Sequence, residues 1–128
     1  MTQEQKELLL KDLCARLPYD VKISVNDNVE SLQGINILDN VVEYGSCLSS
    51  DIEKIKPYLF PFSNIYENEE LMKEFDGLIE LELKAISDEI THTQATEFEV
   101  DFYNKHHLDW RGLIPMGLAI DATGLNIY

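Results

Sequence analysis

The apolar residues change period at Pro18, and that change constrains the fold more than any other feature of the chain. Leu9, Leu13 and Leu17 recur every four residues, with Leu10 and Cys14 beside them; this is the single stripe of an amphipathic helix. Thr2 and Gln5 stand at capping-box spacing, so the Thr2 hydroxyl can accept from the Gln5 amide while the Gln5 side chain reaches back. Pro18 disfavours helical geometry at Leu17. These signals predict a helix over residues 3–16. After Tyr19 the pattern becomes Val21, Ile23 and Val25 alternating with Lys22, Ser24 and Asn26, the period of a half-buried strand. A chain that makes this switch so early belongs to the α+β class.

Turn residues then mark off a small sheet. Asp27-Asn28 and Asp39-Asn40 supply turns around strands expected at Val29–Leu38 and Val41–Tyr44, with a bulge at Gly34. Three short strands joined in this way form an antiparallel sheet, a meander or a barrel-like closure. Ser50 and Glu53 repeat the capping spacing before a short helical turn that Pro57 stops. The segment KPYLFPFSN places two prolines among Tyr58, Leu59, Phe60 and Phe62. So many apolar groups predict a buried, irregular strap over the sheet and not a wet loop.

A further helix is expected from Glu67 through Leu71, Met72 and Phe75. Residues 78–90 fit two patterns: Ile79, Leu81 and Leu83 alternate as in a strand, while Ile79, Leu83, Ile86 and Ile90 suit a helix. Length and the Glu, Leu, Lys and Ala content favour helix. Thr96 and Glu99 predict the start of another, with Phe98, Phe102 and His106 on one face and Val100, Tyr103 and His107 on the next. A turn of helix after Asp109 and a last strand at Leu118-Ala119-Ile120 complete the reading. No repeat or low-complexity linker divides residues 1–128, which are read as one domain: N-terminal helix, small antiparallel sheet, C-terminal helices.

Charge narrows the partners. Between Glu67 and Glu99, eleven acids against two lysines leave −9 of the chain's net −14. Direct nucleic-acid binding there is not expected, because such affinity comes from Lys and Arg displacing counterions from phosphates. The hydrophobic content of 45% is that of a folded domain. No apolar run approaches the roughly 20 residues needed to cross a bilayer, and MTQEQKELLLKDL lacks the pattern of a secretory signal. The expected compartment is the host-cell cytoplasm. There Cys14 and Cys47 are expected to be free, with Cys14 on the buried helix face.

The element HHLDWR is the sharpest chemical candidate: His106, His107, Asp109 and Arg111 include an acid–base pair's ingredients. Adjacent helical residues point about 100° apart, so His106 and His107 do not readily share a metal ion. The structural alternative is favoured. One histidine packs on Phe102 or Tyr103 and the other closes the helix C-terminus, Asp109 caps the next turn, and Arg111 pairs with a carboxylate. His92, flanked by threonines, matters only if the fold brings it beside these histidines. Ser46, Ser49 and Ser50, near Cys47, read as caps. No phosphate loop, dinucleotide fingerprint, nucleophile elbow or HExxH string is present, so no cofactor or metal is expected.

Three stretches resemble a family of small proteins of Bacteroidales phages, prophages and mobile elements, whose pattern is a KDLCARLPYGV-like start, a KPYLxP-like centre and a late HHxDYRGLI. Here the start is Lys11-Asp12-Leu13-Cys14-Ala15-Arg16-Leu17-Pro18-Tyr19. The centre is Lys56-Pro57-Tyr58-Leu59 with Pro61, and the late element runs from His106 to Ile114. Asp20 stands where a glycine is common, Phe60 where an arginine is common and Trp110 where a tyrosine is common. The resemblance implies a viral or mobile-element setting and brings no assigned activity.

The expected role is therefore an accessory protein acting by protein–protein contact, more in keeping with a non-enzyme than an enzyme. Glu69, Glu70, Glu74, Phe60 and Trp110 are the expected contact residues, with a basic protein as partner and a homo-oligomer as a further possibility. One alternative is an acidic DNA mimic that blocks a host DNA-binding protein in an anti-defence role. Another is a small hydrolase or metal-dependent enzyme using His106, His107 and Asp109.

Overall fold

A computed structural model describes residues 1–45, 48–86 and 92–128, with backbone alone for 79–86 and 92–96. Helix α1 runs Gln3–Arg16, and its capping box is complete: Gln5 N donates to the Thr2 hydroxyl at 3.1 Å and Thr2 N to the Gln5 side chain at 3.0 Å. Leu9, Leu10 and Leu13 are buried, and a 3-10 turn over Leu17–Tyr19 follows at the proline. Cys14, expected on the buried face, is exposed. The buried positions are instead Asp12 and Arg16, which lie three and seven residues beyond Leu9 and therefore share its face.

Strands β1 (Lys22–Val25), β2 (Asn28–Asn36), β3 (Val41–Tyr44) and β4 (Leu48–Asp51) form an antiparallel meander. Val21, Ile23 and Val25 are buried, as their alternation requires. The first turn lies one residue earlier than expected. Asn26 and Asp27 both take positive φ, 51° and 64°, the geometry of the two-residue turn that matches strand twist. The β2–β3 register shifts between Leu32 and Gly34, the bulge that glycine predicts. β2 stops at Asn36, so Ile37 and Leu38 are in the turn, with Leu38 94% exposed.

The Ser50–Glu53 cap is not formed. Ser50 belongs to β4, and Asp51 accepts from Glu53 N at 2.9 Å to open only a 3-10 turn at Ile52–Lys54. The expected strap is buried but regular: Ile55–Pro61 is strand β5, antiparallel to β1. Pro57 enters it opposite Ile23, where an antiparallel pair need not exchange hydrogen bonds.

After a 3-10 stretch at Phe62–Glu67, helix α2 spans Glu69–Ile86 and helix α3 spans His92–Lys105. Residues 78–86 are thus helical, and the rest of the ambiguous segment lies outside the described residues. Helix α3 opens at His92 and not at Thr96, so Thr96 and Glu99 lie inside the helix and do not cap it. Strands β6 (Leu108–Asp109) and β7 (Ile120–Asp121) both run parallel to β5. A parallel pair needs a long crossover, and α2 and α3 provide it between β5 and β6. The strand order is β4-β3-β2-β1-β5-β6, with β7 also on β5.

Two apolar clusters result. In the first, α1 packs on β1–β3, with Ile52, Ile55, Leu59, Leu113 and Leu118. In the second, α2 and α3 meet around Ile65, Leu78, Phe102 and Leu108. β5 reaches both, through Leu59 and Phe60. No helix among the described residues is long and apolar enough to cross a membrane.

Candidate functional site

The C-terminus of α3 divides the HHLDWR element into two halves with different surroundings. His106 N closes a helical bond on Phe102 O, then His107 turns into the left-handed region at φ 58° and its N–H goes to Asn104 O. That reversal sends Leu108 and Asp109 into β6. It also leaves both histidines on one cleft and carries Asp109 and Arg111 into the interior.

The interior half is structural. Asp109 accepts from Leu113 N at 2.7 Å and Ile114 N at 2.9 Å, one bond to each carboxylate oxygen. It caps the turn that follows. Arg111 Nε donates to Asp12 Oδ1 at 3.1 Å, and its guanidinium lies 4.1 Å from the centre of the Trp110 ring. Asp12 Oδ2 accepts from Arg16 Nε at 2.8 Å, and Arg16 Nη2 donates to Leu108 O at 2.6 Å. Asp12 and Arg16 are both fully buried. Trp110 is half-buried and donates to Asn104 Oδ1 at 3.0 Å, so its polar edge is engaged inside the protein.

The histidines line the other side. A cleft of about 550 Å³ opens between α2, the end of α3 and the 3-10 stretch after β5. Its lining includes Phe60, Asn64, Glu67, Asn68, Glu70, Leu71, Glu74, Lys105, His106, His107 and Tyr128. Asn68 caps α2, accepting from Glu70 N and Leu71 N at 2.9 and 3.2 Å; this sets the direction in which Glu70 and Glu74 leave the helix. His106 Nε2 lies 2.8 Å from Glu74 Oε2, and the imidazole meets the Phe102 ring edge-on at 4.8 Å.

His107 stacks on Tyr128 with ring centres 3.8 Å apart and planes 14° from parallel. The Tyr128 hydroxyl donates to Tyr58 O at 2.6 Å and accepts from Lys22 N at 3.0 Å. Burial pushes the Tyr128 phenol above its ordinary range. Burial, with the Arg16 and His106 charges adding to it, pushes His107 down to about 4. His107 is therefore neutral near pH 7, and closes the helix with its backbone and not as a cation. Phe60 tilts against Tyr128 at 5.7 Å and completes an aromatic wall.

Of the expected contact residues, Phe60, Glu70 and Glu74 line the cleft, while Glu69 is exposed outside it and Trp110 belongs to the interior half. Glu67, Asn64, Lys105 and Tyr128 join them without having been singled out from the sequence. Tyr128 carried no local signal, since its role depends on contacts 21 to 106 positions away in the chain. Asp12 and Arg16 did carry one: an aspartate and an arginine four residues apart on the leucine face of α1. His92 opens α3, and its side chain lies outside the described residues, as do Ser46 and Cys47. Ser49 and Ser50 are in β4.

Chemically the cleft suits a cation. Three carboxylates face one lysine, and the aromatic wall can take the aliphatic stem of a long basic side chain. Among the described residues, no serine, threonine or cysteine lines it. Among the described residues, no three His, Cys, Asp or Glu side chains are grouped to hold a metal ion. Comparison of the chain with protein-family models, with curated proteins and with solved structures gives no match.

Proposed function

We propose that this protein is a non-enzymatic accessory protein of a phage or mobile element, acting in the host cytoplasm by binding a basic protein partner through the cleft. The observation that carries this reading is the lining itself: among the described residues, Glu67, Glu70 and Glu74 stand around an aromatic wall of Phe60, Tyr128 and His107, with Lys105 the one lysine against them. The phage setting rests on the resemblance of the three sequence stretches. The chain's net charge of −14 favours association with basic surfaces generally. Blocking a DNA-binding host protein is the special case in which that basic surface is a nucleic-acid groove; Glu69 and Asp76, exposed on another side of α2, add to the acidity of the surface. The hydrolase alternative has weaker support, because both Asp109 oxygens are engaged by backbone N–H groups inside the protein.

The test is affinity capture from host lysate at low and high salt, followed by titration of the captured partner. The variant combines Glu69→Gln, Glu70→Gln and Glu74→Gln. A basic partner is expected, with affinity that falls as salt screens the carboxylates and falls again in the variant. A partner held equally at both salt concentrations, and equally by the variant, overturns the reading.

A further inference from the structure

Gly77 is an unfavourable residue for its position. It lies in the middle of α2, where only proline is less favourable than glycine. The fold does not require it, since a Cβ built at Gly77 meets nothing within 4 Å. What the missing side chain leaves is the open floor of a second groove of about 450 Å³. Leu78, Phe98, Phe102 and Tyr19 line it, with Glu74, Asp101 and Lys105 at its rim. Phe98 is 47% exposed there although it is large and apolar, and Leu78 and Phe102 form the floor's buried edge.

This groove adjoins the acidic cleft. Glu74 and Lys105 line both, and so form the divide between them. Gly77 follows Glu70 by seven residues of helix, about 10 Å along α2, a distance that about three residues of extended chain cover. The rim of the groove is acidic like that of the cleft, with Glu74 and Asp101 against Lys105, so its charge complements a basic occupant.

We infer that the groove over Gly77 holds an apolar side chain of the same basic segment whose cationic group occupies the cleft. The partner is thus recognised by a basic residue and an aromatic or aliphatic residue within about three positions of each other. The inference rests on the proposed reading of the cleft. It adds the apolar half of the recognition: the carboxylates supply attraction and the groove supplies selectivity among basic segments.

Two probes separate the halves. One is a short peptide of alternating arginine and glycine; the other is the same peptide with its central glycine replaced by phenylalanine. Binding is followed by chemical-shift titration of the intact protein. Phenylalanine is expected to raise affinity about tenfold, the gain for partly burying its ring. Gly77→Leu fills the floor, improves helix propensity, and is expected to abolish that gain while leaving the arginine–glycine peptide bound as before. Gly77→Ala serves as a control that keeps most of the space and most of the gain. Glu70→Gln is expected to weaken both peptides alike.

If the arginine–glycine peptide binds but phenylalanine adds nothing, or its gain survives Gly77→Leu, the groove inference is overturned and the cleft reading stands. If neither peptide binds, both are overturned.

Discussion

Replacing Asp12 with alanine removes the one carboxylate that two arginines share. Arg16 and Asp12 are fully buried and 2.8 Å apart, and Arg111, with 13% of its side chain accessible, contacts the other oxygen at 3.1 Å. Removing one partner of a buried ion pair costs about 3–5 kcal/mol, chiefly because the remaining charge is left without compensation. Arg111 can turn partly towards water, so its lost contact adds less than about 1 kcal/mol. Asp12→Ala is therefore expected to cost about 3–5 kcal/mol, a large fraction of the roughly 5–15 kcal/mol typical of a whole domain. In a chain of this length that lowers Tm by about 11–19 °C. Urea unfolding followed by far-ultraviolet circular dichroism reports the loss. Fluorescence of the single tryptophan, Trp110, covered by the Arg111 guanidinium, reports it independently. Asp12→Asn keeps an acceptor and should fall between wild type and Asp12→Ala, and Arg111→Ala should cost clearly less than Asp12→Ala. A loss below about 1 kcal/mol for Asp12→Ala would refute the assignment of Asp12 and its two arginines to the interior scaffold, and a larger loss for Arg111→Ala would refute the ranking that makes Asp12 its centre.

His107 makes stability depend on pH. Its folded value of about 4 lies below the ordinary 6.5, so the unfolded chain takes up the proton first as pH falls. The contribution is complete above pH 6.5 and is lost on acidification towards 4. Tm measured across that range should show a flatter slope in His107→Asn, which keeps a residue tolerant of positive φ; an unchanged slope would assign the effect to other groups. Gly77→Ala should raise stability by about 1 kcal/mol in the same urea assay, and a loss would mean that the open floor is needed by the fold itself. Asp27→Gly creates an Asn-Gly pair at a turn where both residues have positive φ, and should add about 0.5 kcal/mol or more; destabilisation would contradict the turn geometry. Asp109→Ala strands the buried Leu113 N–H and the partly buried Ile114 N–H and should cost about 2–4 kcal/mol, measured as a fall in Tm with histidine resonances of the cleft otherwise retained.

Local patterns were legible where one face of an element meets one environment. The stripe of Leu9 and Leu13, the alternation of Val21, Ile23 and Val25, and the glycine at the β2 bulge each report a local requirement, and each is met. β5 was hidden because its two prolines suggest irregular chain. Only the partner register, with Pro57 opposite Ile23, shows how a strand accommodates them. The 78–86 segment carried both periods at once, and helix prevailed, in keeping with its strong helix formers. On α1 the sequence suggested Cys14 inside, whereas the interior took Asp12 and Arg16, because Arg111 and Leu108 arrive from the far end of the chain to bond Asp12 Oδ1 and Arg16 Nη2. The same distance effect governs the site. His106 and His107 could be picked out as neighbours in sequence, but the carboxylates and aromatic rings that define their cleft are assembled by the α2–α3 crossover, which no local window contains.

The contact between Arg16 and Leu108 O spans 92 positions, and it separates the order of synthesis from the order of folding. During translation, α1 emerges before the β1–β4 meander, whose strands pair with their sequence neighbours. Yet α1 cannot settle on that meander with Asp12 and Arg16 buried until residues 108–111 have been made and β6 has joined β5. Before then the leucine face can dock only at the cost of burying charges whose remaining partners do not yet exist. Non-local closure of this kind slows folding and leaves apolar surface transiently uncovered. Helix α1 is thus made well before the partners that lock it in place.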